Sequence, residues 1–256
     1  MKKNLIHQNR KNAGCVPFSG VSALAGAALT MLYGAAALGD DFIVYSPYVT
    51  QGQNEIELRG FSYNDPNVNI NGGGGYEVAI AHTVTSWWKP ELYIGRFEMN
   101  PGEPAHFAGY EFENTFQLTQ PGEYWADIGM LASYEYNQQP GIPDALEFGP
   151  LIEKRSGRID QRLNLIWEKQ VGAGATTNYA FRAAYTMNYQ INTQFAPGFE
   201  AYYRPGDHAY QIGPDVSGEL AGALGREFEY SVGMVFGVNR DAPAQTFILR
   251  LEYEFF

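Results

Sequence analysis

The last eleven residues of the chain, TFILRLEYEFF (246–256), carry two different sets of side chains in alternation. One set is apolar or aromatic: Phe247, Leu249, Leu251, Tyr253 and Phe255. The other set includes three charges: Ile248, Arg250, Glu252 and Glu254. A period of two predicts a β-strand, because successive side chains of a strand point to opposite faces. A soluble sandwich buries the apolar face, whereas a membrane barrel turns it to lipid and the polar face to the lumen.

The rest of the chain repeats this alternation in segments of about ten residues that are separated by turn residues, which is typical of a membrane barrel. We predict twelve strands: 54–63, 75–86, 91–99, 106–118, 123–136, 145–154, 158–169, 178–190, 193–204, 207–213, 226–239 and 245–256. Aromatic residues stand at the ends of the apolar faces, as they do at a membrane–water boundary. The predicted fold is therefore all-β: a single transmembrane up-and-down antiparallel β-barrel of about twelve strands.

The first 37 residues predict a cleaved secretory signal peptide. Four Lys and Arg residues within positions 1–11 precede an apolar stretch of small residues that ends near Ala37, which is the order of regions in such a leader. The one cysteine, Cys15, lies in this leader. The mature chain would then have no cysteine, which excludes disulfides, thiolate chemistry and Cys-zinc sites.

The mature chain is strongly acidic. Removing the leader's four basic residues from the 17 in the chain leaves 13 Lys and Arg against 28 Asp and Glu, a formal charge of −15. Nucleic acid is a poor partner for such a surface, and cations are favoured. No nucleotide-binding motif or His/Cys metal spacing occurs in the sequence, and NGGGG (71–75) is not followed by the Lys-Ser/Thr of a phosphate loop. We expect no cofactor and no metal.

Three regions follow from these patterns: a signal peptide (1–37), a periplasmic N-terminal lead-in (38–53) and the barrel (54–256). Residues 42–50 (FIVYSPYVT) also alternate, but Pro47 interrupts them and proline cannot donate to a strand ladder. If they nevertheless form a strand, the count becomes thirteen. An even count returns the C-terminus to the periplasmic side, where connections are expected to be shorter than outside.

The whole mature chain resembles the proteobacterial outer-membrane β-barrel class. Its last strand, which ends in aromatic residues, is similar to the C-terminal strands of that class. The stretches ELRGFSYNDP, ENTFQLTQPGEYWADIGMLASYEY and LEFGPLIEKRSGRIDQRLNLIWEK resemble uncharacterised barrels, including those of the phenol-degradation-pathway outer-membrane type. The resemblance implies location in the outer membrane of a Gram-negative bacterium, with lipid and lipopolysaccharide as surroundings. It also implies recognition of the C-terminal strand by the barrel-assembly machinery, and we expect a monomer.

Strand parity places one group of ionic side chains on the lumen face. The group comprises Glu57, Arg59, Arg96, Glu98, Glu111, Glu113, Asp127, Glu135, Asp160, Arg162, Glu168, Arg182, Glu227, Glu229, Arg250, Glu252 and Glu254. Because rings of carboxylates select cations, the first hypothesis is a narrow channel or facilitator for small cationic or neutral solutes. The alternative is a non-conducting structural or surface-binding barrel, in which paired Arg and Glu fill the lumen.

An outer-membrane hydrolase, acting on lipid or protein, is the third hypothesis. His82 and His106 have lipid-facing parity, and the Asp207-His208 pair lies in an outer loop. A serine nucleophile needs a base within hydrogen-bond reach, and adjacent residues of a strand point apart. We therefore expect no catalytic residue and no enzymatic activity.

Overall fold

The computed structural model describes residues 42–221 and 226–256, and the predicted signal peptide lies outside them. Within these residues the chain forms twelve β-strands. They are β1 (Asn54–Asn64), β2 (Gly74–His82), β3 (Trp88–Met99), β4 (His106–Gln117), β5 (Asp127–Asn137), β6 (Asp144–Ser156), β7 (Ile159–Val171), β8 (Tyr179–Tyr189), β9 (Ala196–Arg204), β10 (Ala209–Ala221), β11 (Glu227–Gly237) and β12 (Gln245–Phe255). No helix in the described ranges is long and apolar enough to cross a membrane.

The strands form one closed antiparallel barrel, so the predicted fold class is confirmed. Each strand pairs with its neighbours in sequence, and β12 also pairs with β1 from Asn54↔Phe255 to Asn64↔Gln245. Closure pairs the backbone donors and acceptors that an open sheet edge would leave unpaired. A sheet in contact with lipid needs this pairing, because lipid offers no hydrogen-bond partners. The stretch 246–256 therefore completes the wall.

The outer surface of the barrel is apolar. Exposed outward-facing side chains occur on most strands, among them Leu58, Ile80, Leu92, Phe112, Met130, Phe148, Tyr203, Ile212, Met234 and Phe247. A soluble monomer rarely exposes so continuous an apolar surface. The surface is suited to contact with lipid acyl chains.

Two β-bulges change the direction of side chains in β3 and β4. Strand β3 has one extra residue between Tyr93 and Arg96, where three steps along β3 face two steps along β4. Strand β4 has one extra residue of its own, at Ala108. A single extra residue reverses which face the following side chains occupy. Glu91 and Arg96 are both buried as a result, although their sequence parities differ.

Strand β10 differs most from its prediction. It runs from Ala209 to Ala221, whereas the sequence predicted 207–213 followed by a long connection. Gly213, Pro214 and Gly218 interrupt the alternation, yet Ile212 and Asp215 still pair with β11 on either side of the proline. The next strand, β11, begins at Glu227.

Loop lengths distinguish the two ends of the barrel poorly. The longest connections are 118–126, at the end that holds Asn54 and Phe255, and 65–73 at the opposite end, with nine residues each. The predicted asymmetry of short and long connections is therefore not found. The end that holds both termini of the barrel is called the terminal end below.

Candidate functional site

An ionic network lies on the inner face of strands β1 to β5. Glu77 accepts hydrogen bonds from Arg59 Nε at 2.7 Å and from Arg96 Nε at 2.8 Å, and Arg96 Nη2 lies 2.8 Å from Glu135 Oε2. Glu111 Oε2 is 3.9 Å from Arg59 Nη2. All five side chains are buried, so the charges are paired with one another instead of with water.

Strand register explains how this network forms. Arg59 lies directly opposite Glu77, and Glu77 lies directly opposite Arg96 on the next strand. Opposite-charge pairs at facing positions of adjacent strands stabilise a sheet. Three consecutive strands thus supply one row of alternating charge across the inner wall.

Two further ion pairs join β12 to β9 and β8 to β6. Arg250 binds both oxygens of Glu200 at 2.7 and 2.8 Å, and the Tyr202 hydroxyl lies 2.9 Å from Arg250 Nη2. Arg182 forms a similar two-point contact with Glu147. Such bidentate pairs hold the planar guanidinium in one orientation.

Residues 42–49, called the inner segment, lie inside the barrel. The side chain of Asn164 binds the backbone of Tyr45 twice, accepting from its N–H at 2.6 Å and donating to its carbonyl at 3.1 Å. Ser46 Oγ donates to Glu153 at 2.6 Å and the Tyr48 hydroxyl donates to Asp127 at 2.5 Å. The inner segment is thus attached to the wall through side chains of β5, β6 and β7.

The sequence predicted a periplasmic lead-in for these residues, whereas the structure places them inside the barrel. Residues 42–50 form no strand. Phe42 and Val44 pack in one apolar cluster, whereas Ile43 and Tyr45 pack in another. Both faces are buried because the barrel surrounds the segment. The unbroken apolar run FIVY (42–45) was the signal in the sequence, since such a run is unsuited to water.

The remainder of the inner segment also fits the wall closely. Pro47 is buried against Gly129, where an added Cβ would lie 2.7 Å from Pro47 Cβ. Phe42 packs against Phe61 and Tyr202, with ring centroids 4.9 and 5.2 Å apart. Burial and the hydrogen bond to Asp127 raise the pKa of Tyr48, so its hydroxyl remains a donor at neutral pH. The segment narrows the barrel from the terminal end inward.

A cavity of about 640 Å³, called the vestibule, opens beside the inner segment at the terminal end. Its wall includes Glu55, Glu57, Lys89, Glu91 and Glu229. Carboxylates outnumber cationic side chains on this wall. The vestibule is therefore an acidic chamber that attracts cations.

The structure distributes the predicted lumen residues over distinct groups. Nine line the vestibule: Glu57, Glu113, Asp160, Arg162, Glu227, Glu229, Arg250, Glu252 and Glu254. Four belong to the central network: Arg59, Arg96, Glu111 and Glu135. Asp127 holds the inner segment, Arg182 pairs with Glu147, Glu168 lies opposite Glu147, and Glu98 lies at the other end beside His106.

Several interior residues were missed from the sequence. They are Glu55, Glu77, Lys89, Glu91, Glu147, Glu153, Glu200 and Asp215. Glu55 shares the parity of Glu57 and could have been found from it. Glu91 could not, because only the bulge in β3 allows it to share a face with Arg96. Asp215 lay in the segment that was read as a connection.

The histidines do not form a hydrolytic pair. The bulge at Ala108 turns His106 away from its predicted lipid-facing position, and His106 Nε2 lies 3.4 Å from Glu98. None of the histidines in the described residues has a serine among its hydrogen-bond partners. This geometry lacks the nucleophile–base contact that serine hydrolysis needs.

No family model matches the chain, and no curated protein matches it. Among solved structures, the chain is similar to an outer membrane channel from Pseudomonas putida F1, with a TM-score of 0.53 and 11% identity over 80% of this chain and 96% of that chain. A bacterial polysaccharide outer membrane secretin has a TM-score of 0.35 and 7% identity over 81% of this chain and 99% of that chain. The chain therefore shares the fold of an outer-membrane channel barrel.

Proposed function

We propose that the protein is a monomeric outer-membrane barrel of a Gram-negative bacterium, acting as a narrow channel for small cationic or neutral solutes. The apolar outer surface and the closed ring of strands support the membrane location. The likeness to an outer membrane channel from Pseudomonas putida F1 is consistent with a conducting role. The proposal includes no catalytic step and assigns the C-terminal strand to recognition by the assembly machinery.

The observation that carries the proposal is how the inner segment is held. The hydrogen bonds that attach it to the wall at Asn164, Glu153 and Asp127 use side chains of the wall, and it adds no strand to the barrel. The wall is complete without it. The inner segment can therefore leave the interior without breaking the strand pairing that keeps the barrel closed.

The acidic vestibule supplies the proposed selectivity. Carboxylates such as Glu113, Glu229 and Glu252 line the space beside the inner segment. Carboxylate rings raise the local concentration of cations and repel anions. A twelve-stranded barrel lies between barrels of about 8 strands, which side chains fill, and porins of roughly 16–18 strands, which hold an open channel.

One observation favours the alternative of a non-conducting barrel. The buried network around Glu77 spans the inner wall at mid-height and pairs its charges internally. If this network closes the lumen, the function lies in the surface loops and the interior is a polar core.

Planar-bilayer conductance decides between the two. The mature protein is compared with a chain that begins at residue 51 and so lacks the inner segment, with a salt gradient to read ion preference. We expect a small, cation-selective conductance that increases when the segment is absent, and a weaker cation preference when Glu113 is changed to Lys. If neither chain conducts while both keep a β-type circular dichroism spectrum, the result would contradict the channel and support the polar core.

A further inference from the structure

Three buried glutamates meet at the entrance to the vestibule. Glu55, Glu57 and Glu91 each place a carboxylate oxygen within 4.8 Å of the other two. Register brings them together across β2: Glu55 pairs with Ala81, which pairs with Glu91. Because alanine is small, the longer glutamate side chains of β1 and β3 can meet above it.

The cluster has more negative charge than its neighbours neutralise. Lys89 Nζ lies 2.8 Å from Glu55 Oε2 and 3.7 Å from Glu91 Oε2. The Tyr93 hydroxyl donates to Glu57 at 2.9 Å but brings no charge. Counted by formal charge, three carboxylates and one ammonium group leave two negative charges in a buried position.

A separate observation points to a missing ligand. Glu91 is 3% exposed, and its Oε1 atom is buried without a hydrogen-bond partner among the described residues. A buried carboxylate oxygen without a donor is costly. Glu91 lies in the cluster and lines the vestibule, so an ion entering from the terminal end can reach it.

We propose that Glu55, Glu57 and Glu91 bind a divalent cation, with Ca²⁺ preferred. Ca²⁺ takes oxygen ligands at about 2.3–2.6 Å, so two of its ligands lie at most about 5 Å apart, as these oxygens already do. Mg²⁺ needs oxygens at about 2.0–2.1 Å in a stricter geometry. Waters of the vestibule complete the coordination. This departs from the expectation of no metal, which was based on His and Cys ligands.

The proposal does not depend on conduction. The three ligands lie on strands of the wall, and none belongs to the inner segment. A barrel that never opens would still present the cluster to the vestibule. Binding is therefore tested directly, by titration calorimetry of the full mature protein in detergent.

Calorimetry with CaCl₂ is expected to show saturable binding of one ion, with a dissociation constant on the order of 10⁻⁴–10⁻³ M as in extracellular calcium modules, and weaker binding of MgCl₂. Glu91→Gln is expected to weaken Ca²⁺ binding at least tenfold. Lys89→Met is expected to strengthen it several-fold, because the ammonium competes for Glu55. Circular dichroism checks the fold of each variant.

Glu219→Gln is the matched control. Glu219 lines the same vestibule outside the cluster, and its loss should change the affinity less than twofold. Equal weakening by Glu219→Gln and Glu91→Gln would overturn the proposal in favour of diffuse attraction. So would the absence of saturable binding by the unaltered protein. If Glu91→Gln fails to fold, Glu57→Gln tests the same claim.

Discussion

Truncating Asn164 to alanine is expected to release the inner segment from the barrel interior. Asn164 is 1% exposed and makes two hydrogen bonds to the backbone of Tyr45. Its loss removes both of these hydrogen bonds while the segment stays in place. Each unpaired buried group costs about 1–3 kcal/mol.

The lower limit of this energy cost is appropriate here, because water from the vestibule can enter part of the space that the Asn164 side chain leaves. Two groups at about 1 kcal/mol each give about 2 kcal/mol, which shifts the equilibrium towards the released segment about thirtyfold. The wall should be little affected, because Asn164 uses its side chain for the segment and its backbone for the strands.

The assay uses the absence of cysteine from the predicted mature chain. A single cysteine in place of Pro47, which is buried against Gly129 and does not line the vestibule, should react with a maleimide only when the segment leaves. We expect labelling about thirtyfold faster with Asn164→Ala than without it, under conditions where the segment opens and closes much faster than the thiol reacts.

Asn188→Ala is the control, because Asn188 is also an interior amide but bonds to Asp215 and not to the inner segment. Equal labelling rates for the Asn164 and Asn188 variants would refute the assigned role of Asn164. Labelling that is already complete at the first time point in the parent protein would refute the placement of the segment itself.

Two further predictions concern the wall. Glu77→Gln should lower the free energy of unfolding by about 3 kcal/mol, the low end for a broken buried pair, because other carboxylates remain near both arginines. Urea titration measures this change. The control is Glu103→Gln at an exposed position, which should change the free energy of unfolding by no more than about 0.5 kcal/mol. Equal urea midpoints for the Glu77 and Glu103 variants would show that the buried ionic network contributes little to stability. Gly149→Ala should destabilise the barrel by about 1–3 kcal/mol or prevent refolding, because its Cβ would lie 1.9 Å from the Leu165 carbonyl oxygen. Gly206→Ala, with nothing within 4 Å, should refold normally; the same behaviour from both would contradict the close approach of β6 and β7.

The fold could be predicted from the sequence because strand alternation is a local property. The segment 246–256 and eleven others show the period of two, and the structure has twelve strands in a ring. The failure at β10 has a local cause as well. Gly213 and Pro214 have the composition of a turn, but pairing with both neighbouring strands keeps them in the sheet.

The interior was less predictable because its contacts depend on register and on bulges. Glu77, Arg59 and Arg96 form one network only because they occupy facing positions on three strands. The position of a bulge has no strong signal in a single sequence, so the lumen-facing position of Glu91 could not be derived from that of Arg96. The inner segment was misplaced because Pro47 argued against a strand. The apolar run FIVY (42–45) indicated burial, but it did not specify that the barrel interior would provide it.

The attachment of the inner segment also has a consequence for the order of folding. The side chains that hold Tyr45, Ser46, Tyr48 and Val49 lie 119, 107, 79 and 68 residues further along the chain. Contacts between residues so far apart form slowly, because the intervening chain must first be ordered. The described residues nearest the N-terminus are therefore expected to be among the last to reach their places. We expect a newly closed barrel to pass through a stage in which its wall is complete and its interior is still open.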